Sequence, residues 1–156
     1  MQEIIQILTQ KAQTISTMES CTGGAIVNAI TNIEGASEVL KFSAVTYSND
    51  YKIKMGVDAN IINQYTVYSQ QTAKAMAKTI SDYTNSDYGL GITGKLNRRD
   101  RYNQHGRDNE VFISIYDRNN DTYHNFTYLA NKESRLENKN EIINLVTSRL
   151  LNIIKL

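Results

Sequence analysis

The sequence predicts an α/β chain: a three-layer α/β/α sandwich around a mixed, mostly parallel sheet that ends in a β-hairpin. Three observations carry this. Short β-branched segments alternate with helix-periodic ones from the start of the chain; a glycine-containing string, Glu19-Ser20-Cys21-Thr22-Gly23-Gly24, joins a strand pattern to a helix pattern; and Asp117-Arg118-Asn119-Asn120-Asp121 is a polar turn of hairpin length between Val111–Tyr116 and Thr122–Leu129.

Each element follows from its residues. Ile4, Ile5, Ile7, Leu8 and Ala12 recur at helical intervals, so an amphipathic helix is expected over about Gln2 to Gln13. Thr14 to Glu19 is short and β-branched and predicts a strand, followed by a helix from about Thr22 to Asn32 that ends before Gly35. Phe42–Ser48 predicts a second strand. Ser48 or Asn49 then caps a short helix through Lys54, which Gly56 stops. Ser69 caps a longer helix with Ala73, Met76, Ala77 and Ile80 on one face, and Tyr88–Thr93 reads as a buried strand. The last helix is expected from about Glu137 to Ile154, its apolar stripe carried by Ile142, Val146, Leu150, Ile153 and Ile154. Lys95 to Asn109 is a long, basic, polar loop. Loops of that length within compact domains are functional or disordered.

Composition bounds the function. At 156 residues, 40% hydrophobic and 21% charged with a net charge of +1, the chain is expected to form one domain over residues 1–156, with no overall field that would demand nucleic acid or a membrane. No apolar run is long enough for a bilayer, and Glu3 stands where a signal peptide carries basic residues, so a cytoplasmic location is expected. The single cysteine, Cys21, excludes an internal disulfide and a cysteine-based zinc site. Two separated histidines, His105 and His124, argue against a catalytic metal cluster, and no cofactor is expected. Ten tyrosines and an apolar last helix leave room for a homo-oligomer surface.

Three constellations could carry chemistry. In the string Glu19 to Gly24, backbone N–H groups at a helix start favour an anion, with a hydroxyl and a thiol alongside. The plainer reading is a helix cap for Ser20 or Thr22 and a small buried apolar side chain for Cys21. Tyr47-Ser48-Asn49-Asp50-Tyr51-Lys52 follows a predicted strand at its carboxyl end, where open sheets bind ligands. Lys52 near the start of a helix opposes the helix dipole, which lowers its pKa toward that of a general base; the plainer reading is a solvated turn. Gly89-Leu90-Gly91-Ile92-Thr93-Gly94-Lys95-Leu96 nearly matches a P-loop, but Leu96 replaces the Mg²⁺-binding hydroxyl, which argues against nucleoside triphosphate hydrolysis. The arginines of the following loop suit phosphate or RNA, yet few aromatics are interleaved, as in ordinary solvated surface.

In their order and spacing these pieces resemble the CinA C-terminal family, whose stand-alone form is a nicotinamide mononucleotide amidohydrolase. The resemblance rests on Glu19-Ser20-Cys21-Thr22-Gly23-Gly24, on Val45-Thr46-Tyr47-Ser48-Asn49 with Lys52, on Ser69 before an alanine-rich helix, and on Gly91-Ile92-Thr93-Gly94. It implies metal-free hydrolysis of a carboxamide on a small-molecule mononucleotide, with release of ammonia. Ser20 would be the nucleophile and Lys52 the base, assisted by Tyr47. Glu19, Thr22, Gly23, Gly24, Ser48, Asn49, Ser69, Thr93 and Gly94 would bind substrate, and the helix start at Thr22 to Gly24 would hold either an oxyanion or the phosphate. The chain departs from the family after Gly94, where Lys95-Leu96-Asn97-Arg98-Arg99-Asp100 replaces a glycine- and proline-rich loop. It departs again at Ala130 and Lys132, the nearest equivalents of a glycine and an arginine ahead of the last helix, and at Ser43 and Ala44. The alternative is a catalytically lapsed protein of the same fold that binds a nucleotide or phosphate in the same pocket.

Overall fold

Five strands in the order β2-β1-β3-β4-β5 form one mixed sheet in the computed structural model, which describes residues 1–156. β1 (Ile15–Glu19) is parallel to β2 (Leu40–Val45) on one side and to β3 (Tyr88–Gly94) on the other. β3 then pairs antiparallel with β4 (Glu110–Asp117), which forms the hairpin with β5 (Thr122–Leu129). β1 and β3 are buried at every residue, as strands covered on both faces must be.

The covering layers follow from strand alternation. Leu90 and Ile92 of β3 and Ile113 and Ile115 of β4 join α1 (Gln2–Gln10), α2 (Ala25–Thr31), α3 (Ala36–Val39) and α7 (Arg135–Ile154) in the larger core cluster. Met18 of β1 points the other way, into a smaller cluster with Ile62 of α5 (Ala59–Tyr65) and Met76 and Ile80 of α6 (Gln70–Thr84). Gly89 and Gly91 face α6, and a Cβ on Gly91 would lie 2.2 Å from the Ala73 carbonyl oxygen. The glycines of the P-loop-like string therefore serve close approach of helix to strand. α4 (Asn49–Lys54) completes the set of helices, none long and apolar enough to cross a membrane.

Several boundaries differ from the sequence expectation. α1 stops at Gln10, because Ala12 adopts a left-handed φ of 52°. α2 starts at Ala25 instead of Thr22: the Gly23 amide donates to the Ser20 carbonyl at 2.9 Å, and Gly23 and Gly24 take φ of 62° and 92°, a conformation that suits glycine. β2 ends at Val45, and Ser48 caps α4 by accepting from the Tyr51 amide. α3 and α5 are not anticipated; α5 begins where the Asp58 side chain accepts from the Asn60 amide at 2.8 Å. α7 starts two residues early, at Arg135, behind a capping box formed by Ser134 and Glu137.

Candidate active site

The parallel strands end together: Glu19 is level with Val45 of β2 and Ile92 of β3. The next residue, Ser20, continues the ladder by donating its amide to the Ile92 carbonyl at 3.0 Å, which fixes the side chain at the carboxyl edge of the sheet. Across from it, α4 carries Lys52, whose Nζ donates to Ser20 Oγ at 3.0 Å and to the Thr46 carbonyl at 2.7 Å. Lys52 is 1% exposed, and burial lowers its pKa from 10.5 to about 8. The direction matches the sequence expectation but the cause does not: Lys52 lies in the last turn of α4, where the helix dipole favours a cation.

Cys21 sits next to this pair and stays a thiol. Burial pushes its pKa up to about 12, although Lys52 and Arg135 pull in the opposite direction. Its backbone N–H finds no acceptor in another residue.

Glu19 is fully buried and does not face the ligand space. Its carboxylate accepts from Thr22 Oγ1 at 2.6 Å and from the amides of Ile26 and Val27 at 3.1 and 2.9 Å. Glu19 and Thr22, expected to bind substrate, thus bind each other. The carboxylate occupies the amides of Ile26 and Val27 in the first turn of α2. Gly23 and Gly24 shape the turn and also lie outside the cavity.

A cavity of about 670 Å³ opens above Ser20 and Cys21. Tyr47, Ser48 and Asn49 form one wall and Gly94 another, so four residues expected at the site from sequence join Ser20 there. Tyr47 is 65% exposed and its hydroxyl accepts from Arg135 Nη2 at 3.4 Å; no hydrogen bond joins it to Lys52, so the expected assistance to the base is not present. Ser69 and Thr93 do not line the cavity. Ser69 caps α6, accepting from the Thr72 amide at 3.1 Å, while Thr93 Oγ1 donates to the Val67 carbonyl at 2.9 Å. Thr93 thereby ties the connection from α5 to α6 to β3, and Ser69 closes that connection on itself through Thr66 and Thr72.

The loop after Gly94 roofs the cavity. Lys95 is buried, pairs with Asp108 at 3.1 Å and lies 5.0 Å from the Tyr68 ring centroid, where the π-face favours its charge. The Tyr68 hydroxyl in turn donates to Asp100, and Asn49 Nδ2 donates to Asn103 Oδ1 at 3.0 Å. Asp100 also accepts from the Tyr102 amide and from Asn103 Nδ2. Arg98 and Arg99 line the cavity, whereas Arg101 and Arg107 do not. Lys132 is exposed and outside it; the cation that α7 brings in is Arg135. Sequence reasoning missed Arg135 and Tyr68. The capping-box pattern Ser134-x-x-Glu137 was the available signal for Arg135, since it places that residue on the first helical turn.

Comparison with known proteins gives the family and the fold. A protein of Clostridium beijerinckii described as a putative competence-damage inducible protein is 44% identical over 92 residues, which is 58% of this chain and 22% of that protein. A CinA-like protein of Desulforapulum autotrophicum is 39% identical over 94 residues, 60% of this chain and 22% of its own. The chain thus spans about a fifth of the length of these relatives. Among solved structures, the competence/damage inducible protein CihA of Agrobacterium tumefaciens superposes with a TM-score of 0.86 at 27% identity, covering 99% of this chain and 92% of that one. A CinA superfamily protein of Klebsiella pneumoniae shares the fold with a TM-score of 0.87 at 16% identity, over 99% and 94% of the two chains. The sequence pattern of the CinA C-terminal domain matches residues 1–153, from the first helix to the end of the last, and the chain belongs to that family.

Proposed function

We propose that the protein is an amidohydrolase that cleaves the carboxamide of nicotinamide mononucleotide, giving nicotinic acid mononucleotide and ammonia. The observation that carries this reading is the 3.0 Å contact between Ser20 Oγ and a buried Lys52 whose pKa is about 8. A lysine so depressed is neutral in about a tenth of molecules at pH 7, against fewer than one in a thousand for an ordinary lysine, and can act as a general base. In the neutral form the contact reverses, and the Ser20 hydroxyl donates to the lone pair of Nζ.

The chemistry follows from that pair. Ser20 Oγ attacks the amide carbon while Lys52 takes the hydroxyl proton. The developing oxyanion is met by the backbone N–H of Cys21, adjacent to the nucleophile and bonded to no other residue. Collapse of the tetrahedral intermediate breaks the C–N bond, Lys52 returns its proton to the departing nitrogen, and ammonia leaves an ester on Ser20. Water, deprotonated by Lys52, then attacks that ester and releases the carboxylate, restoring Ser20. The Thr46 carbonyl holds Nζ in place throughout, since it accepts one amine hydrogen in either protonation state.

The test is release of ammonia from nicotinamide mononucleotide by the purified protein, followed in parallel for Ser20→Ala and Lys52→Ala. Each variant is expected to lose at least about 10³-fold in kcat, as removal of a nucleophile or its base does. The parent's kcat/KM is expected to rise with pH and level off above about 8, as Lys52 loses its proton. Absence of ammonia release by the parent overturns the reading in favour of a nucleotide-binding protein without turnover.

A further inference from the structure

The parallel ladder runs one residue past the strands and there sets three hydroxyls in a row. Glu19, Val45 and Ile92 are level, and the residues after them carry the pattern on: the Ser20 amide donates to the Ile92 carbonyl and the Thr46 amide to the Glu19 carbonyl at 2.8 Å. Side chains alternate between faces, so Ser20, Thr46 and Thr93 lie on the face opposite Glu19. Thr93 Oγ1 donates to the Val67 carbonyl and Ser20 Oγ meets Lys52, whereas Thr46, 2% exposed, has a buried Oγ1 with no hydrogen-bond partner. Lys52 has the matching deficit. Its Nζ is held by Ser20 Oγ and the Thr46 carbonyl alone, it forms no salt bridge, and a third hydrogen of its ammonium has no acceptor. Of the ionisable groups around it, Cys21 acts on it from the turn after β1 and stays a thiol, Glu19 of β1 is turned to α2, and Tyr68 is bonded to Asp100. A buried hydroxyl without a partner and a buried amine with a hydrogen to place are thus joined through one residue, since the carbonyl already 2.7 Å from Nζ is that of Thr46.

We propose that Thr46 is a positioning residue for Lys52, holding both hydrogens of the neutral amine, one on its carbonyl and one on its hydroxyl, so that the lone pair is aimed at Ser20. Rotation about the Cα–Cβ bond of Thr46 carries Oγ1 toward its own carbonyl oxygen and hence toward Nζ. When Ser20 Oγ bonds to the amide carbon, the Ser20 O–H bond breaks and its proton forms the third N–H of Lys52, which stays directed at Oγ while Thr46 keeps the other two. An acceptor on each of these hydrogens favours the ammonium over the amine, so the hydroxyl also supports the basicity that burial takes away. Neither Thr46 nor Lys52 lines the cavity, so the hydroxyl serves the amine and not a bound substrate. The consequence for catalysis rests on the amidohydrolase reading, but the bond between Thr46 and Lys52 does not depend on turnover.

The experiment reads Lys52 directly, by NMR titration of its Cε resonance, assigned through its loss in Lys52→Met. In Thr46→Val, which keeps the shape and removes the hydroxyl, the Lys52 pKa is expected to fall by roughly one pH unit, as for loss of one hydrogen bond to a charged group. Thr46→Ala, which cannot overfill the site, should lower it equally, and Thr46→Ser, which keeps the hydroxyl without the methyl, should return it to the parent value. In ammonia release, Thr46→Val is expected to lower kcat about 10-fold with KM unchanged and to move the pH midpoint of kcat/KM down with the Lys52 pKa, and Thr46→Ser to restore both. A Lys52 pKa equal in parent and Thr46→Val, or a loss found in Thr46→Ser and not in Thr46→Val, overturns the proposal and leaves Thr46 a packing residue. A pKa lowered in Thr46→Val and restored in Thr46→Ser, in a parent that releases no ammonia, overturns the amidohydrolase reading alone, while turnover with an unmoved Lys52 titration overturns this one alone.

Discussion

Glu19 shows how one side chain can be essential to a site without facing it. Both carboxylate oxygens accept, Oε2 from Thr22 and Ile26 and Oε1 from Val27, so the turn that presents Ser20 and the first turn of α2 are tied to the end of β1. Glu19→Gln keeps the shape but exchanges an acceptor for an NH₂, which then faces a donor in a buried place. The expected cost is roughly 1–3 kcal/mol of stability, read as a lower denaturant midpoint with an unchanged m-value. An unshifted midpoint would show that the turn stands without the carboxylate. The family resemblance already implied Ser20 and Lys52 as partners, on the strings Glu19 to Gly24 and Val45 to Asn49 with Lys52. It could not reveal that Glu19 and Thr22 satisfy each other, since which polar groups find partners is decided only after β1 and α2 are packed. That Tyr47 bonds to Arg135, Ser69 to Thr72 and Thr93 to Val67 was hidden for the same reason. Each lies at the correct end of its element, but side-chain direction there depends on neighbours remote in sequence.

At the level of elements, the alternation of strands and helices was legible wherever a segment carried a full period of pattern, as in α6 and β5. It was not legible for α3, with four residues, or α5, with seven, which are too short to show a periodicity and owe their form to caps and packing. The string Gly89 to Leu96 is the instructive case: its glycines suggest phosphate binding, yet they are spaced by two so that both fall on the face of β3 against α6. A methyl group on Gly91 would collide with the Ala73 carbonyl oxygen at 2.2 Å and the Ala77 nitrogen at 2.5 Å, both backbone atoms that cannot rotate away. Gly91→Ala is therefore expected to separate α6 from β3 at a cost on the order of 3 kcal/mol, measured by equilibrium unfolding. Ala at position 106, where a Cβ meets nothing within 4 Å, provides the comparison: Gly106→Ala is strained only by its φ of 77° and should cost about 1 kcal/mol. Equal losses for the two would mean that the close approach of helix and strand carries no stability of its own.

Across the whole molecule, the fold sets the burial of Lys52 beside Ser20 against stability. The sheet ends bring Ser20 to an edge sealed by α4, and sealing it means burying an amine that is charged in the unfolded chain. Lys52 has its pKa lowered from 10.5 to about 8 on folding. Below about pH 8 both folded and unfolded chains hold the proton, and the folded protein bears the full cost of a buried cation. Between the two pKa values the unfolded chain still holds it and the folded one does not, so stability rises with pH across that window. Tyr68 acts above it in the opposite sense: its pKa is pushed up, chiefly by burial and by its bond to Asp100, so folded protein loses ground once unfolded tyrosine ionises at about pH 10. The clean measurement is therefore a comparison of the parent with Lys52→Met, which fills the same space without a titrating group. Relative to that variant, the parent is expected to gain about 2 kcal/mol of unfolding free energy between about pH 7 and pH 9.5. A difference that stays constant over this range would mean that Lys52 titrates near its ordinary value, and with it would go the physical basis for its action as a base toward Ser20.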